Sequence, residues 1–172
     1  NIFVAIKGLN HDGHDYLVDA EKNGALCAIV DKINHQVTLP QLLVPNTRAA
    51  LGDITRFMAY KWNKPKVSIT GSNGKTTTKF ILASILQEQG EVLCPKQSFN
   101  NEIGVPLTMF SASDDQWAGV FEIGTNHPGE IDYLTKLMVS DIAILTSVSQ
   151  THIGNFKDLT AIAHEKFDIF NN

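Results

Sequence analysis

A lysine and a threonine follow two closely spaced glycines in Thr70-Gly71-Ser72-Asn73-Gly74-Lys75-Thr76-Thr77-Thr78. Gly71 and Gly74 let backbone N–H groups around Ser72 and Asn73 turn toward an anion, and a helix start adds its partial positive charge. In such a loop Lys75 reaches the outer phosphates of a nucleotide, the Thr76 hydroxyl suits magnesium, and Thr77 falls in the helix's first turn. The longer form, G-x-x-x-x-G-K-[ST], would need glycine where Ile69 stands, so this is the shorter T-G-x-x-G-K-T type. The bland alternative is a glycine-rich turn with a chance Gly-Lys-Thr. The apolar run Val67-Ser68-Ile69 before it and the helix-like stretch Lys79 to Gln89 after it count against that alternative.

Other candidates carry weaker signals. Glu122 ends the apolar run Val120-Phe121, where sheets of this kind place a second magnesium contact; Asp is more usual there, and the alternative is an edge carboxylate facing water. The polar loop from Gly124 to Glu130 leaves the same strand end and contains Asn126 and His127. His152 follows another strand and reads either as a metal ligand or as a capping or surface residue. Lys166 lies between Ala163 and Phe167 on an amphipathic run, and spacing alone makes it a solvated lysine. His11 and His14, with Asp12 and Asp15, resemble a metal cluster but read better as turn and substrate-loop residues. Asn100 and Asn101 open a loop ending in Pro106; it is a helix entry alone, or its adjacent amides orient a polar substrate.

The elements that must position these residues alternate. Strands are expected at 2–6, 25–30 and 42–44, with a short helix over 16–23 and a longer one after Asn46 or Thr47 bearing Leu51, Ile54, Phe57 and Met58. Asn63-Lys64-Pro65 breaks the pattern and marks a boundary between a first unit, 1–62, and a second, 66–172. The second unit reads as strand 67–70, helix 75–89 with an apolar stripe of Ile81, Leu82, Ile85 and Leu86, then strands 91–94, 117–123 and 142–146. Helices fall near 106–110, 130–138 and 159–170. The fold class is α/β: a small N-terminal unit, then a mostly parallel sheet covered by helices, with ligands at the carboxyl ends of its strands.

Composition excludes several function classes. A net charge of −4 and no Lys/Arg block argue against general binding to nucleic acid or an anionic membrane. No apolar stretch is long enough to span a bilayer. The two cysteines, Cys27 and Cys94, read as buried free thiols in a reducing compartment. Asn1 and the closing Asn171-Asn172 suggest a piece of something longer.

Taken together, these stretches resemble the Mur ligases, which extend the peptide of the bacterial cell-wall precursor by ATP-dependent amide formation. The phosphate loop carries the superfamily resemblance. Phe3 to Gly8 with Asp12-Gly13-His14, Asn100 to Pro106, Glu122 to Glu130, and Glu165 to Phe170 carry the finer one. The resemblance covers essentially the whole chain. It implies ATP and magnesium as cofactors, with UDP-N-acetylmuramoyl-tripeptide and D-alanyl-D-alanine as substrates of a cytoplasmic, monomeric bacterial enzyme. It assigns catalytic roles to Lys75, Glu122, His152 and Lys166. Gly71, Ser72, Asn73, Gly74, Lys75, Thr76 and Thr77 would bind nucleotide, and Asn100, Asn101, Asn126 and His127 would bind substrate. Thr76 and Glu122 would hold one magnesium; His152 and a carbamylated Lys166 would hold another. Residues 1–62 would form most of a UDP-sugar-binding domain and 66–172 part of an ATP-binding domain. The third family domain would be missing, leaving this piece unable to complete ligation. His164 stands where relatives often carry a second lysine. Two rivals remain: a ligase adding another amino acid, and a non-ligase phosphate-loop module. The absence of N-K-x-D after the loop and of D-x-x-G speaks against a GTPase.

Overall fold

The structure is a computed structural model that describes residues 1–150 and 154–171. Two compact units divide it, Asn1–Ile54 and Thr55–Asn172. The division falls inside a helix and not at the Asn63-Lys64-Pro65 break. The physical reason is packing: Ala59 and Trp62, with Met58 beside them, belong to the hydrophobic core of the second unit. The Trp62 indole also donates to the Ser113 carbonyl at 2.9 Å.

In the first unit β1 (Ile2–Val4), β2 (Cys27–Val30) and β3 (Gln41–Leu43) pair in parallel in that order. The helix α1 (Leu17–Lys22) crosses between β1 and β2. Its Leu17 joins Ala5, Ala28, Val30, Val37 and Leu39 in a small apolar core. Asp12 accepts the His14 amide at 3.0 Å and so caps a 3-10 turn, Gly13–Tyr16, while its carboxylate lies 2.6 Å from His14 Nδ1. On the other side of the imidazole, Nε2 is 3.1 Å from Asp31. The histidine and aspartates near residue 12 therefore form a turn, as their sequence context suggested, and the helix α2 (Thr47–Lys61) comes after β3.

The second unit is built on β4 (Lys66–Thr70), β5 (Val92–Leu93), β6 (Ala118–Glu122) and β7 (Ile142–Leu145), all parallel, in spatial order β5-β6-β4-β7. This is the α/β class expected from the alternation of elements. Every residue of β4 and β6 is buried, as strands covered on both faces must be. Successive residues of β6 face opposite layers. Val120 packs with Val67, Ile69, Ala83 and Val92 under α3 (Lys75–Gln87). Phe121 packs with Val105, Met109, Ile131, Leu134 and Met138 from α4 (Gly104–Phe110) and α5 (Glu130–Met138). The chain leaves β4 toward β5 on one side and reaches β7 on the other. The β4 end is thus a topological switch point, where a crevice opens beyond the strands. A last helix, α6 (Leu159–Phe167), continues into a 3-10 turn, Asp168–Phe170, whose Ile169 is buried in the α5 layer.

One helix face differs from expectation. Ile81 and Ile85 of α3 are 57% and 62% exposed, while Lys79 and Ala83 are its buried residues. Leu82 and Leu86 do pack against the core. The face turned to the sheet is set by the phosphate loop that starts the helix, so Lys75, Lys79 and Ala83, four apart, point inward. Both cysteines are free but only half-buried.

Candidate functional site

The phosphate loop takes its shape from two left-handed glycines and from the segment beyond β7. Gly71 has φ +148° and Gly74 φ +83°. A Cβ on Gly71 would collide with the Thr146 hydroxyl, so only glycine fits there. Thr146 donates to the Asn73 carbonyl at 2.6 Å, and Ser147 accepts the Asn73 amide at 3.0 Å. Ser72 exchanges bonds with Ser149, donating its hydroxyl to the carbonyl at 3.1 Å and accepting the amide at 2.8 Å. The loop is thereby tied to the 146–149 segment. The first helical bond of α3 is from the Thr78 amide to the Gly74 carbonyl, 2.8 Å. The amides of Lys75, Thr76 and Thr77 therefore lie in the turn whose donors have no helical acceptor, which suits phosphate oxygens.

Lys75 folds back and donates to the Gly71 carbonyl at 2.8 Å. That contact parks the ammonium over the loop. Beside it, the Thr76 hydroxyl donates to Glu122 Oε2 at 2.8 Å and lies 3.4 Å from the Ser98 hydroxyl. Glu122 is 2% exposed, which removes the reading of an edge carboxylate in water. Its other oxygen accepts the Asn100 side-chain amide at 2.9 Å. Asn100 is locked in turn, because its carbonyl accepts the Gly124 amide at 2.7 Å. Asn101 starts a helix and also faces the cleft. It accepts the Ile103 and Gly104 amides at the start of α4, and it lines the cleft.

The cleft is walled by Gly71, Lys75, Asn100, Asn101, Gly124, Thr125, Asn126, Glu130 and Lys166. Asn126 thus reaches the site, whereas His127 is exposed and is not among the lining residues. The amides of both are accepted by Glu130, at 2.6 and 3.1 Å. Lys166 is 3% exposed, so the solvated lysine inferred from spacing is corrected. With α6 packed on α5 the side chain lines the cleft, and helical spacing alone could not reveal that face. Burial pushes its ammonium below the ordinary lysine value of 10.5; the Lys75 charge adds to the fall and Glu165 opposes it. His152 lies outside the described residues.

Residues that the motifs did not mark complete the arrangement. Glu165, buried beside Lys166, accepts the Gly129 amide at 2.6 Å, the Ile131 amide at 2.9 Å and the Thr125 hydroxyl at 3.2 Å. It serves the free amides at the start of α5 from a different helix. The signal available in sequence was a glutamate adjacent to Lys166, and nothing in spacing assigns it that partner.

The oxygen donors fit a magnesium ion. Thr76 and Glu122 present hard oxygen donors, and magnesium takes few protein groups, completing its shell with water and phosphate oxygens. Among the described residues no group of three His, Cys, Asp or Glu side chains could hold a metal. As an ammonium, Lys166 repels a cation; as a carbamate it would offer oxygens.

Comparison with known proteins places the chain in a family. The Mur ligase middle domain matches residues 69–172. The UDP-N-acetylmuramoyl-tripeptide–D-alanyl-D-alanine ligase of Haemophilus influenzae is 38% identical over 174 residues, covering 99% of this chain and 38% of its own length. Its Escherichia coli namesake is 34% identical over 170 residues, covering 99% and 37%. A crystal structure of MurF from Acinetobacter baumannii superposes with a TM-score of 0.95 at 32% identity, over 99% of this chain and 38% of that one. MurF from Thermotoga maritima in complex with ADP gives 0.89 at 32% identity, over 98% and 39%. The chain therefore spans less than two fifths of the length of these relatives. These matches, over a chain whose phosphate loop and Lys166 line one cleft, lead to one conclusion: the chain belongs to the Mur ligase family.

Proposed function

We propose that the protein to which this chain belongs is an ATP-dependent ligase that joins D-alanyl-D-alanine to UDP-N-acetylmuramoyl-tripeptide in peptidoglycan precursor synthesis. The observation that carries the reading is the cleft that unites Lys75, Asn100 and Lys166 beside the Thr76–Glu122 pair. The names of the relatives above support the choice of substrates.

In this reading the terminal carboxylate of the tripeptide attacks the γ-phosphorus of ATP. The bond to the leaving oxygen breaks with its electron pair, giving ADP and an acyl phosphate. The neutral amine of D-alanyl-D-alanine then attacks the acyl carbon, phosphate leaves, and the amine's proton is released. Lys75 exchanges its contact with the Gly71 carbonyl for the phosphate charge that gathers during transfer. The amides of Lys75, Thr76 and Thr77 orient the phosphates, while Asn100, Asn101 and Asn126, with the exposed His127 beside them, position the acceptor. Thr76 and Glu122 would hold one magnesium, and His152 with a carbamylated Lys166 a second. Bound magnesium would supply positive charge against the phosphate oxygens. The lowered affinity of Lys166 for its proton favours the neutral amine that carbamylation needs.

Residues 1–62 would contribute to a UDP-sugar-binding domain and 66–172 to the ATP-binding domain of a monomeric cytoplasmic enzyme. Among the described residues no helix is long and apolar enough to cross a membrane. The test is phosphate release by the full-length protein with the tripeptide nucleotide, with and without D-alanyl-D-alanine, beside Lys75→Ala. Release that needs both substrates, yields the pentapeptide and vanishes in the variant is expected. Release indifferent to the sugar nucleotide would overturn the ligase assignment in favour of a nucleotide hydrolase.

A further inference from the structure

Lys79 is fully buried, at 0% exposure, and no step above uses it. A buried ammonium is costly unless it is paired and its donors are met, and here a carboxylate stands near and two donors are hydrogen-bonded. Two go to backbone carbonyls, of Pro95 at 2.9 Å and Gln97 at 3.1 Å. The ammonium also stands 3.9 Å from Glu122 Oε2 and 4.5 Å from the centre of the Phe80 ring. The two carbonyls belong to the segment that leaves β5 and runs on to Asn100. That segment has no strand or helix of its own between Leu93 and Gly104. It nonetheless delivers Ser98 to within 3.4 Å of the Thr76 hydroxyl and the Asn100 amide to Glu122.

We propose that Lys79 is a positioning residue for the magnesium–nucleotide site. It fastens the 95–100 segment to the phosphate-loop helix and so sets where Asn100 and Glu122 stand relative to Thr76. The inference rests on the reading of Thr76 and Glu122 as magnesium ligands. Its helical position explains why this residue is suited to the task. Lys79 is one turn beyond Lys75 and Thr76 on the inward face of α3, and only a long cationic side chain reaches from that backbone to two carbonyls across the layer. The positive charge itself opposes a second cation nearby. A bystander lysine and a positioning lysine therefore predict opposite signs. Removing a bystander charge tightens magnesium binding, whereas removing the fastener loosens it.

The experiment measures binding of a non-hydrolysable ATP analogue, adenylyl imidodiphosphate, to the full-length protein by calorimetry, with and without magnesium. Wild type is compared with Lys79→Met and Lys79→Arg. In Lys79→Met the strengthening of binding by magnesium should fall by about tenfold or more, the range found when groups supporting metal ligands are lost. Magnesium-free affinity should be unchanged, and hydrogen exchange should speed up over residues 95–101. Lys79→Arg, which can still donate to both carbonyls, should recover most of the loss. Lys79→Gln, neutral and shorter but still a donor, replaces the methionine variant if that one does not fold, and the same fall is expected of it. Unchanged or tighter magnesium-dependent binding overturns the proposal, as does an equal loss of affinity with and without magnesium. Wild type that binds no tighter with magnesium overturns both the metal-site reading and this inference. A protein with normal magnesium dependence but no ligation overturns the proposed reaction alone.

Discussion

The Glu165 carboxylate accepts the Gly129 amide at 2.6 Å, bringing the last described helix onto the loop that carries Asn126. The same carboxylate holds the Ile131 amide and the Thr125 hydroxyl, so one buried side chain ties that loop at three points. Its neighbour in sequence, Lys166, lines the same cleft. The Lys166 position and the 125–131 loop are thus mechanically one feature.

Glu165→Gln tests that link. The amide keeps the volume but turns N–H groups toward donors, leaving at least one buried amide without an acceptor. The expected cost is about 1–3 kcal/mol, the range for an orphaned buried polar group. Urea denaturation reads it, and hydrogen exchange should quicken at residues 125–131. No loss of stability would mean that the loop is held by its own Glu130 contacts.

Thr76 and Glu122 share one hydrogen bond and would share one ion. Thr76→Val and Glu122→Gln should each weaken magnesium-dependent nucleotide binding. Because the two act on one site, the double variant should lose less than the two single losses combined. Full additivity in titration calorimetry would show that the residues act independently and would separate them as ligands.

Lys166 predicts a pH dependence with a definite sign. Its folded pKa is lowered, first by burial, then by Lys75. Between that lowered value and the ordinary 10.5 the unfolded chain binds the extra proton, so stability rises with pH across this window. Lys166→Met should abolish the rise. In the same pH range, labelled bicarbonate should give a carbamate carbon signal in NMR that grows as the amine deprotonates and is missing in Lys166→Arg. A signal that persists in the arginine variant would assign the carbamate to another lysine.

Glycines 71 and 124 should respond differently to alanine. At Gly71 the new methyl meets the Thr146 hydroxyl and the Ser147 backbone at a left-handed φ, so the phosphate loop must deform and nucleotide binding should be lost. At Gly124 the methyl meets only the end of the Asn100 side chain, 2.9 Å away. Asn100 can swing aside at the expense of its bond to Glu122, so nucleotide should still bind, with a weaker response to magnesium. Equal losses in both variants would contradict this division of roles.

The legible parts of the chain were those governed by local rules. The glycine-Lys-Thr loop, the alternation of apolar runs with helical stretches, and Pro106 in the first turn of α4 each depend on neighbours a few residues away. The failures share a cause. Ile81 and Ile85 stand at helical spacing with Leu82 and Leu86, yet the helix turns Lys79 and Ala83 inward. The break at Pro65 was visible, but the end of α2 belongs to the second unit, because Trp62 finds its core there. Lys166 looked solvated until the packing of α6 became known.

The sequence by itself determined that a phosphate loop opens a helix after a buried strand, because glycine conformation, helix starts and strand burial depend on adjacent residues. It also determined the α/β class and the set of polar side chains available at the strand ends. Only the tertiary structure decided which of those side chains meet. Strand order β5-β6-β4-β7 brings Glu122 to Thr76 across 46 residues, and Glu165 to Gly129 across 36. Such contacts depend on which strands are neighbours and on which helix face is buried. Both are set by the packing of the whole layer, and no short stretch of chain contains them.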